Sequence, residues 1–324
     1  MIAGRILHLQ RLSTEDGPGL RTTVFFKGCP LHCAWCHNPE SLSPKPQIQW
    51  FAVRCLGCNT CLETCPNGCL SRGETALLID RARCQGCGKC AEACPSGALE
   101  LLGKTVAVDA LLAELLKDRA YYEKSGGGVT LSGGEPTLQP YFAEALLRGL
   151  KEAGISTALD TCGLCPPETL DRLLPYTDLV LFDIKLLDPA AHRRFTGVAN
   201  DKILHNLERV RDYIRRGERP LTLWIRTPLI PGATTSDDNL HAIGRYIAEH
   251  LDGTVTRWEL CAFNNLCRDQ YLRLGLTWEY AQTPLMTPEE LEHCAGVARA
   301  SGLCPDLVLA TGATCLPQPI GDEP

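Results

Sequence analysis

Two short runs of cysteine constrain this chain more than anything else in it. Residues 55–66 and 84–95 both read C-x2-C-x2-C-x3-C-P, with Cys55, Cys58, Cys61 and Cys65 in the first and Cys84, Cys87, Cys90 and Cys94 in the second. A third group, Cys29, Cys33 and Cys36, precedes them with the spacing C-x3-C-x2-C. Twelve of the 19 cysteines lie between Cys29 and Cys94, so spacing governs the reading and the total does not. A disulfide scaffold is normally short and even in cysteine. A chain of 324 residues with an odd count reads instead as a cytosolic protein whose thiolates hold metal.

The repeated run is that of bacterial two-cluster ferredoxins. Three thiolates of one tight loop reach three corners of a [4Fe–4S] cube, and the fourth, beyond the loop, caps the other cube. The expected sets are therefore Cys55, Cys58, Cys61 and Cys94 for one cluster, and Cys84, Cys87, Cys90 and Cys65 for its mate. Zinc sites pair two cysteines with two more after a gap and seldom use three in one loop. Cys69 is surplus to both sets and reads as a small buried thiol.

The first group has three cysteines and no fourth at a suitable distance. Three protein ligands leave one iron of a cube open, as catalytic zinc sites keep an open position. With Trp35 just before the last cysteine, this triplet resembles the signature of the radical S-adenosylmethionine (SAM) superfamily. There the open iron chelates SAM, and one electron cleaves it to methionine and a 5′-deoxyadenosyl radical.

The rest of the chain is ordinary globular material, 44% apolar and 22% charged. Its net charge of −6 offers no basic stripe for nucleic acid, and no run of about 18 apolar residues would cross a membrane. The N-terminus lacks a signal-peptide core. Strand-like stretches at 20–27, 128–131, 155–159, 179–182, 221–226 and 257–261 alternate with helical ones at 108–124, 138–153, 167–174, 201–216, 237–250 and 288–300. Six βα units of this kind suggest an α/β parallel barrel or partial barrel, with 306–309 as an extra strand. The expected organisation is a barrel start at 1–48, a ferredoxin-like insert at 49–103, the rest of the barrel at 104–310 and a loose tail at 311–324.

Active sites of such sheets gather at strand C-termini. Polar motifs fall there: Ser132-Gly133-Gly134-Glu135-Pro136, Asp160-Thr161-Cys162-Gly163, Asp183-Ile184-Lys185, and Arg226 followed by Pro228. With Asp16-Gly17-Pro18-Gly19-Leu20-Arg21 and Cys36-His37-Asn38-Pro39-Glu40, the chain resembles the glycyl-radical-enzyme activating enzymes of the radical SAM superfamily. The resemblance covers nearly the whole chain. It implies a partial (β/α)6 barrel and hydrogen abstraction from one glycine of a partner enzyme.

It also implies roles. Gly133 and Gly134 let backbone approach the SAM ammonium and Glu135 adds an acceptor; Trp35 and His37 flank the adenine. Asp160 and Asp183 hold a monovalent cation beside the SAM carboxylate, with Lys185 and Arg226 as counter-charges, although structural salt bridges account for these two equally well. Asp16 faces the incoming glycine loop. Relatives often carry a His where this chain has Asn264, which can hydrogen-bond a peptide but cannot titrate. Cys162 and Cys165, another C-x2-C, read as unremarkable thiols because Cys162 lies inside the cation-site turn.

Three such cubes would take the formal charge to about −11 and place the protein in an anaerobic or microaerobic cytoplasm. The implied partners are a glycyl radical enzyme and an electron donor such as flavodoxin or ferredoxin. Two other readings remain open: a radical SAM enzyme modifying another peptide or a small molecule, and a ferredoxin-like electron carrier without catalysis. The carrier reading leaves the three-cysteine loop and the strand-end motifs unexplained.

Overall fold

The computed structural model describes residues 2–315. Its main sheet has nine strands: β1 (Ala3–Ser13), β2 (Arg21–Phe26), β3 (Lys104–Ala107), β4 (Gly128–Gly133), β5 (Ser156–Thr161), β6 (Leu179–Asp183), β7 (Thr222–Leu229), β8 (Val255–Ala262) and β9 (Val308–Thr311). They run in the order β9-β8-β7-β6-β5-β4-β2-β1-β3. The seven from β2 to β9 are mutually parallel, while β1 pairs antiparallel with β2 and with β3. The sheet is open, as a partial barrel requires. β9 is the seventh parallel strand, placed two residues later than the sequence suggested.

Strand alternation divides the sheet into two faces. Val24, Val129, Leu131, Leu159, Val180, Phe182, Ile225 and Leu260 join the large core under the helices. Ala158, Leu179, Leu181 and Trp224 form a small separate cluster on the other face. Further toward the strand C-termini, that second face turns polar, with Ser132, Asp160, Asp183, Arg226 and Glu259 following the same parity. Three of the parallel strands, β5, β6 and β7, are thus apolar deep down and polar at one end.

The helices Asp201–Arg216 and Asp237–His250 have the bounds their patterns predict. The long helix expected over 108–124 is instead broken into Val108–Leu115 and Arg119–Ser125 by a 3-10 turn. The break puts Asp118 against the sheet, where Thr22 Oγ1 donates to it at 2.9 Å and Arg11 pairs with it. Two further helices, Pro189–Thr196 and Arg268–Leu274, interrupt stretches that the sequence left unassigned.

The cysteine-rich insert carries its own small core of Ile48, Leu70, Leu77, Cys90 and Leu99. Strand Gln47–Trp50 pairs antiparallel with Leu99–Leu102, and Leu70–Arg72 pairs with Leu77–Ile79. The tail expected beyond β9 lies mostly outside the described residues. Among those described, no helix is long and apolar enough to cross a membrane.

Candidate metal and cofactor site

The cysteine loop leaves the C-terminal end of β2. Gly28 N–H donates to the Ser41 carbonyl at 2.6 Å and Cys29 N–H to that of Leu42 at 3.2 Å, closing the loop at its base. Cys36 N–H returns to the Cys33 carbonyl at 3.0 Å. The far segment 263–280 clamps it from above: Tyr271 Oη donates to the Cys36 carbonyl at 2.8 Å and Trp278 Nε1 to that of Ala34 at 3.1 Å. Burial pushes the Cys29 thiol up to about 12, with the Glu135 carboxylate adding to it, and raises Cys36 further. Such thiols ionise when a metal compensates the charge, so loading this loop releases protons.

Trp35 is buried and packs against Phe195, in the main core. His37 lies between the rings of Phe263 and Trp278, at 6.1 and 6.3 Å. Burial lowers its pKa, and its Nε2 is buried without a partner.

Gly133 has φ +99°, a conformation that favours glycine. At Gly134 a Cβ would stand 2.2 Å from the Gly28 carbonyl oxygen, so only glycine lets this turn lie against the cysteine loop. Gly134 N–H donates to the Phe26 carbonyl at 2.9 Å and Glu135 N–H to that of Gly28 at 2.8 Å. Glu135 itself is fully buried. Its carboxylate accepts from Thr137 N–H (3.0 Å), Thr161 Oγ1 (2.8 Å) and Cys162 N–H (2.8 Å), which ties two strand ends together. The side chain thus has a structural task that the sequence did not reveal, with one carboxylate lone pair left over.

Asp160, Asp183, Lys185 and Arg226 meet on the polar face. Ser132 Oγ donates to Asp160 at 2.6 Å, Arg226 stands 3.8 Å from Asp160, and Lys185 pairs with Asp183. Arg226 is committed further: its Nε lies 3.1 Å from Glu259, and it donates to the Glu15 carbonyl at 3.3 Å. This last bond brings the 14–20 loop to the site. Asp16 in that loop accepts from Ser13 Oγ (2.6 Å) and Thr23 Oγ1 (2.5 Å). Asn264 Oδ1 accepts from Leu266 N–H at 3.2 Å and so fixes its own turn.

The sequence reading missed Glu259, Tyr271 and Trp278. Glu259 becomes visible only with the register, which sets it beside Arg226 across β7 and β8. The two aromatics carry no local signal, because their partners are backbone carbonyls more than 200 residues away.

Burial against water, with Asp183 adding repulsion, pushes the Asp160 carboxyl up to about 7 despite Arg226. Unfolded it titrates near 3.8, so the native ligand-free state holds the proton more tightly. The stability this group contributes is present below about pH 4 and is lost as pH rises toward 7. Melting temperatures of the ligand-free protein should therefore fall between about pH 4 and pH 7, and Asp160→Asn should flatten that fall. An unchanged slope in the variant would show that other groups govern it.

In the insert, one cavity is lined by Cys65, Cys84, Cys87 and Cys90, together with Cys69. A second is lined by Cys55, Cys58, Cys61 and Cys94. The fourth cysteine of each run thus crosses to the other loop.

A parallel open sheet with a three-cysteine loop and a Gly-Gly-Glu turn at adjacent strand ends defines a radical SAM protein, and the radical SAM superfamily profile matches residues 82–242. A 4Fe-4S dicluster domain profile matches residues 54–101. The chain is 40% identical to the (2S)-3-sulfopropanediol dehydratase activating enzyme of Klebsiella oxytoca, over 85% of this chain and 87% of that one. It is 40% identical to the trans-4-hydroxy-L-proline dehydratase activating enzyme of Clostridioides difficile (91% and 96%). It is 37% identical to the indoleacetate decarboxylase activating enzyme of Tractidigestivibacter scatoligenes (92% and 95%). The chain belongs to the glycyl-radical-enzyme activating enzymes. It is an enzyme of radical generation that uses [4Fe–4S] clusters and SAM and acts on a glycyl radical enzyme.

Proposed function

We propose that the chain holds three [4Fe–4S] clusters, one open at Cys29, Cys33 and Cys36 and two closed in the insert. The observation that carries this reading is the sorting of eight thiols into two cavities, each taking three from one run and the fourth from the other. With a cluster held by Cys29, Cys33 and Cys36, SAM would supply, on one-electron cleavage to methionine, the 5′-deoxyadenosyl radical that takes a hydrogen atom from the partner's glycine.

The chain's own residues orient that chemistry. The backbone at Gly133 and Gly134 accepts the SAM ammonium, and the leftover Glu135 lone pair supports the same charge. His37 Nε2 and the edge of Trp35 face the adenine. Asp160 and Asp183 are the acids for a monovalent cation, while Lys185 supplies positive charge for the SAM carboxylate. Arg226, anchored by Glu259, holds the 14–20 loop that carries Asp16 toward the partner's glycine segment, and Asn264 meets the same segment from the turn after β8. The eight cysteines of the insert would hold the two closed clusters, which would supply electron transfer from a flavodoxin- or ferredoxin-type donor or help seat the partner. The partner is a dehydratase, lyase or decarboxylase of the glycyl radical kind; relatives with different partners lie at nearly equal identity, so likeness alone selects none of them. The reconstituted, reduced chain should convert SAM to 5′-deoxyadenosine without any partner, and about twelve irons per chain should accompany that activity. Eight irons without cleavage would favour an electron carrier instead.

A further inference from the structure

The two cysteine runs are internal repeats, and their ends align: Cys65-Pro66-Asn67-Gly68-Cys69-Leu70 against Cys94-Pro95-Ser96-Gly97-Ala98-Leu99. Cys69 stands where the other repeat has Ala98. Each position lines the cavity that the fourth cysteine of its own run crosses into, so the two cavities differ by one added thiol.

That thiol is not idle packing. Cys69 is 5% exposed, and its Sγ lies 3.3 Å from the Cys65 Sγ. Its backbone N–H points at the same sulfur, at 3.4 Å. The Cys69 carbonyl accepts from Asp80 N–H at 2.8 Å, which helps fix the backbone that presents the thiol. The mate has no such thiol: Thr60 Oγ1 donates to the Cys58 Sγ at 3.4 Å, Ser96 Oγ stands 3.7 Å from the Cys94 Sγ, and Arg72 Nη1 stands 3.8 Å from the Cys55 Sγ.

We propose that Cys69 is a positioning residue, an S–H donor to the Cys65 sulfur that raises the reduction potential of the cluster held by Cys84, Cys87, Cys90 and Cys65. This rests on the cluster assignment proposed above. Four thiolates already satisfy four irons, so Cys69 has no iron to bind. Cys65 bound to iron is a thiolate with no proton of its own, and the contact then runs only from the Cys69 S–H. Reduction adds negative charge to the cube and its sulfurs, and a donor hydrogen bond stabilises that charge more than it stabilises the oxidised state. The two closed clusters, alike in ligand spacing, thereby become unlike in potential.

The test is an EPR-monitored redox titration of the reconstituted full chain as wild type, Cys69→Ala, Cys69→Ser and Ala98→Cys, with iron counted in each. In Cys69→Ala one closed-cluster signal should move to lower potential. At fixed poise its reduced fraction should drop about threefold to tenfold, a factor of ten being about 59 mV for one electron. Cys69→Ser, which keeps a donor, should stay near wild type, and Ala98→Cys should raise the other signal. Full iron with both signals unmoved in Cys69→Ala and Ala98→Cys overturns the inference alone. Wild-type protein lacking two closed-cluster signals overturns the cluster assignment and the inference with it.

Discussion

Replacing Cys33 with alanine should abolish SAM cleavage while leaving the insert loaded. Three thiolates are the smallest set that holds a cube with one open iron, and the described structure offers the first loop no substitute. The nearest candidates do not fit: Cys162 sits in the turn held by Glu135, and Cys267 reaches the Cys36 carbonyl at 3.8 Å with its sulfur. Iron should fall from about twelve to about eight per chain. Production of 5′-deoxyadenosine should drop to the reagent background, whereas the closed-cluster EPR signals should persist. The fold should survive, because the loop is held by backbone bonds from Ser41, Leu42, Thr196 and Phe195 and by Tyr271 and Trp278, none of which needs the Cys33 sulfur. Cleavage at wild-type rate in Cys33→Ala would remove this loop from the chemistry.

Gly134→Ala should be nearly as damaging, for a steric reason. Its Cβ would meet the Gly28 carbonyl oxygen at 2.2 Å and that of Ser41 at 3.1 Å, both backbone atoms. Relief requires the cysteine loop and the Gly-Gly turn to part, which breaks the Glu135 N–H bond to Gly28 and shifts Cys29. A displacement near 1 Å at a reacting centre costs about 100-fold, and kcat/KM for SAM should fall by at least that much. Gly296→Ala is the control. It lies in helix Pro288–Arg299 with no atom within 4 Å of the added Cβ, and should leave cleavage unchanged and stability equal or about 1 kcal/mol higher. Wild-type kinetics in Gly134→Ala would show that the turn and loop are less tightly coupled than their geometry implies.

What the sequence disclosed tracks how local each signal is. The helices at 201–216 and 237–250 could be bounded because their ends carry local chemistry: Gly217 in the left-handed region after the first, and Ser236 Oγ accepting from Asn239 N–H at the start of the second. The parallel strands were legible as short apolar runs ending in polar motifs. β1 was not, since Ile6, Leu7 and Leu9 break the alternation and Leu12 sits at φ 57° in an irregular stretch. Cysteine spacing grouped the thiols that share a cavity, three in one tight loop and a fourth set beyond the loop of the other run. Side-chain commitments were hidden. That Glu135 would be spent on Thr161 and Cys162, or Arg226 on Glu259 and the Glu15 carbonyl, depends on strand register. No spacing rule encodes that register.

The central claim is that this chain places a radical on a partner's glycine, and EPR of the partner tests it most directly. The reduced, reconstituted enzyme would be mixed anaerobically with SAM and the glycyl radical enzyme proposed as its partner. The account predicts a glycyl radical signal on the partner, formed together with an equivalent amount of 5′-deoxyadenosine and absent with Cys33→Ala. Cleavage of SAM at full rate with no radical on that partner would contradict it, and would point to a different peptide or a small molecule as the substrate.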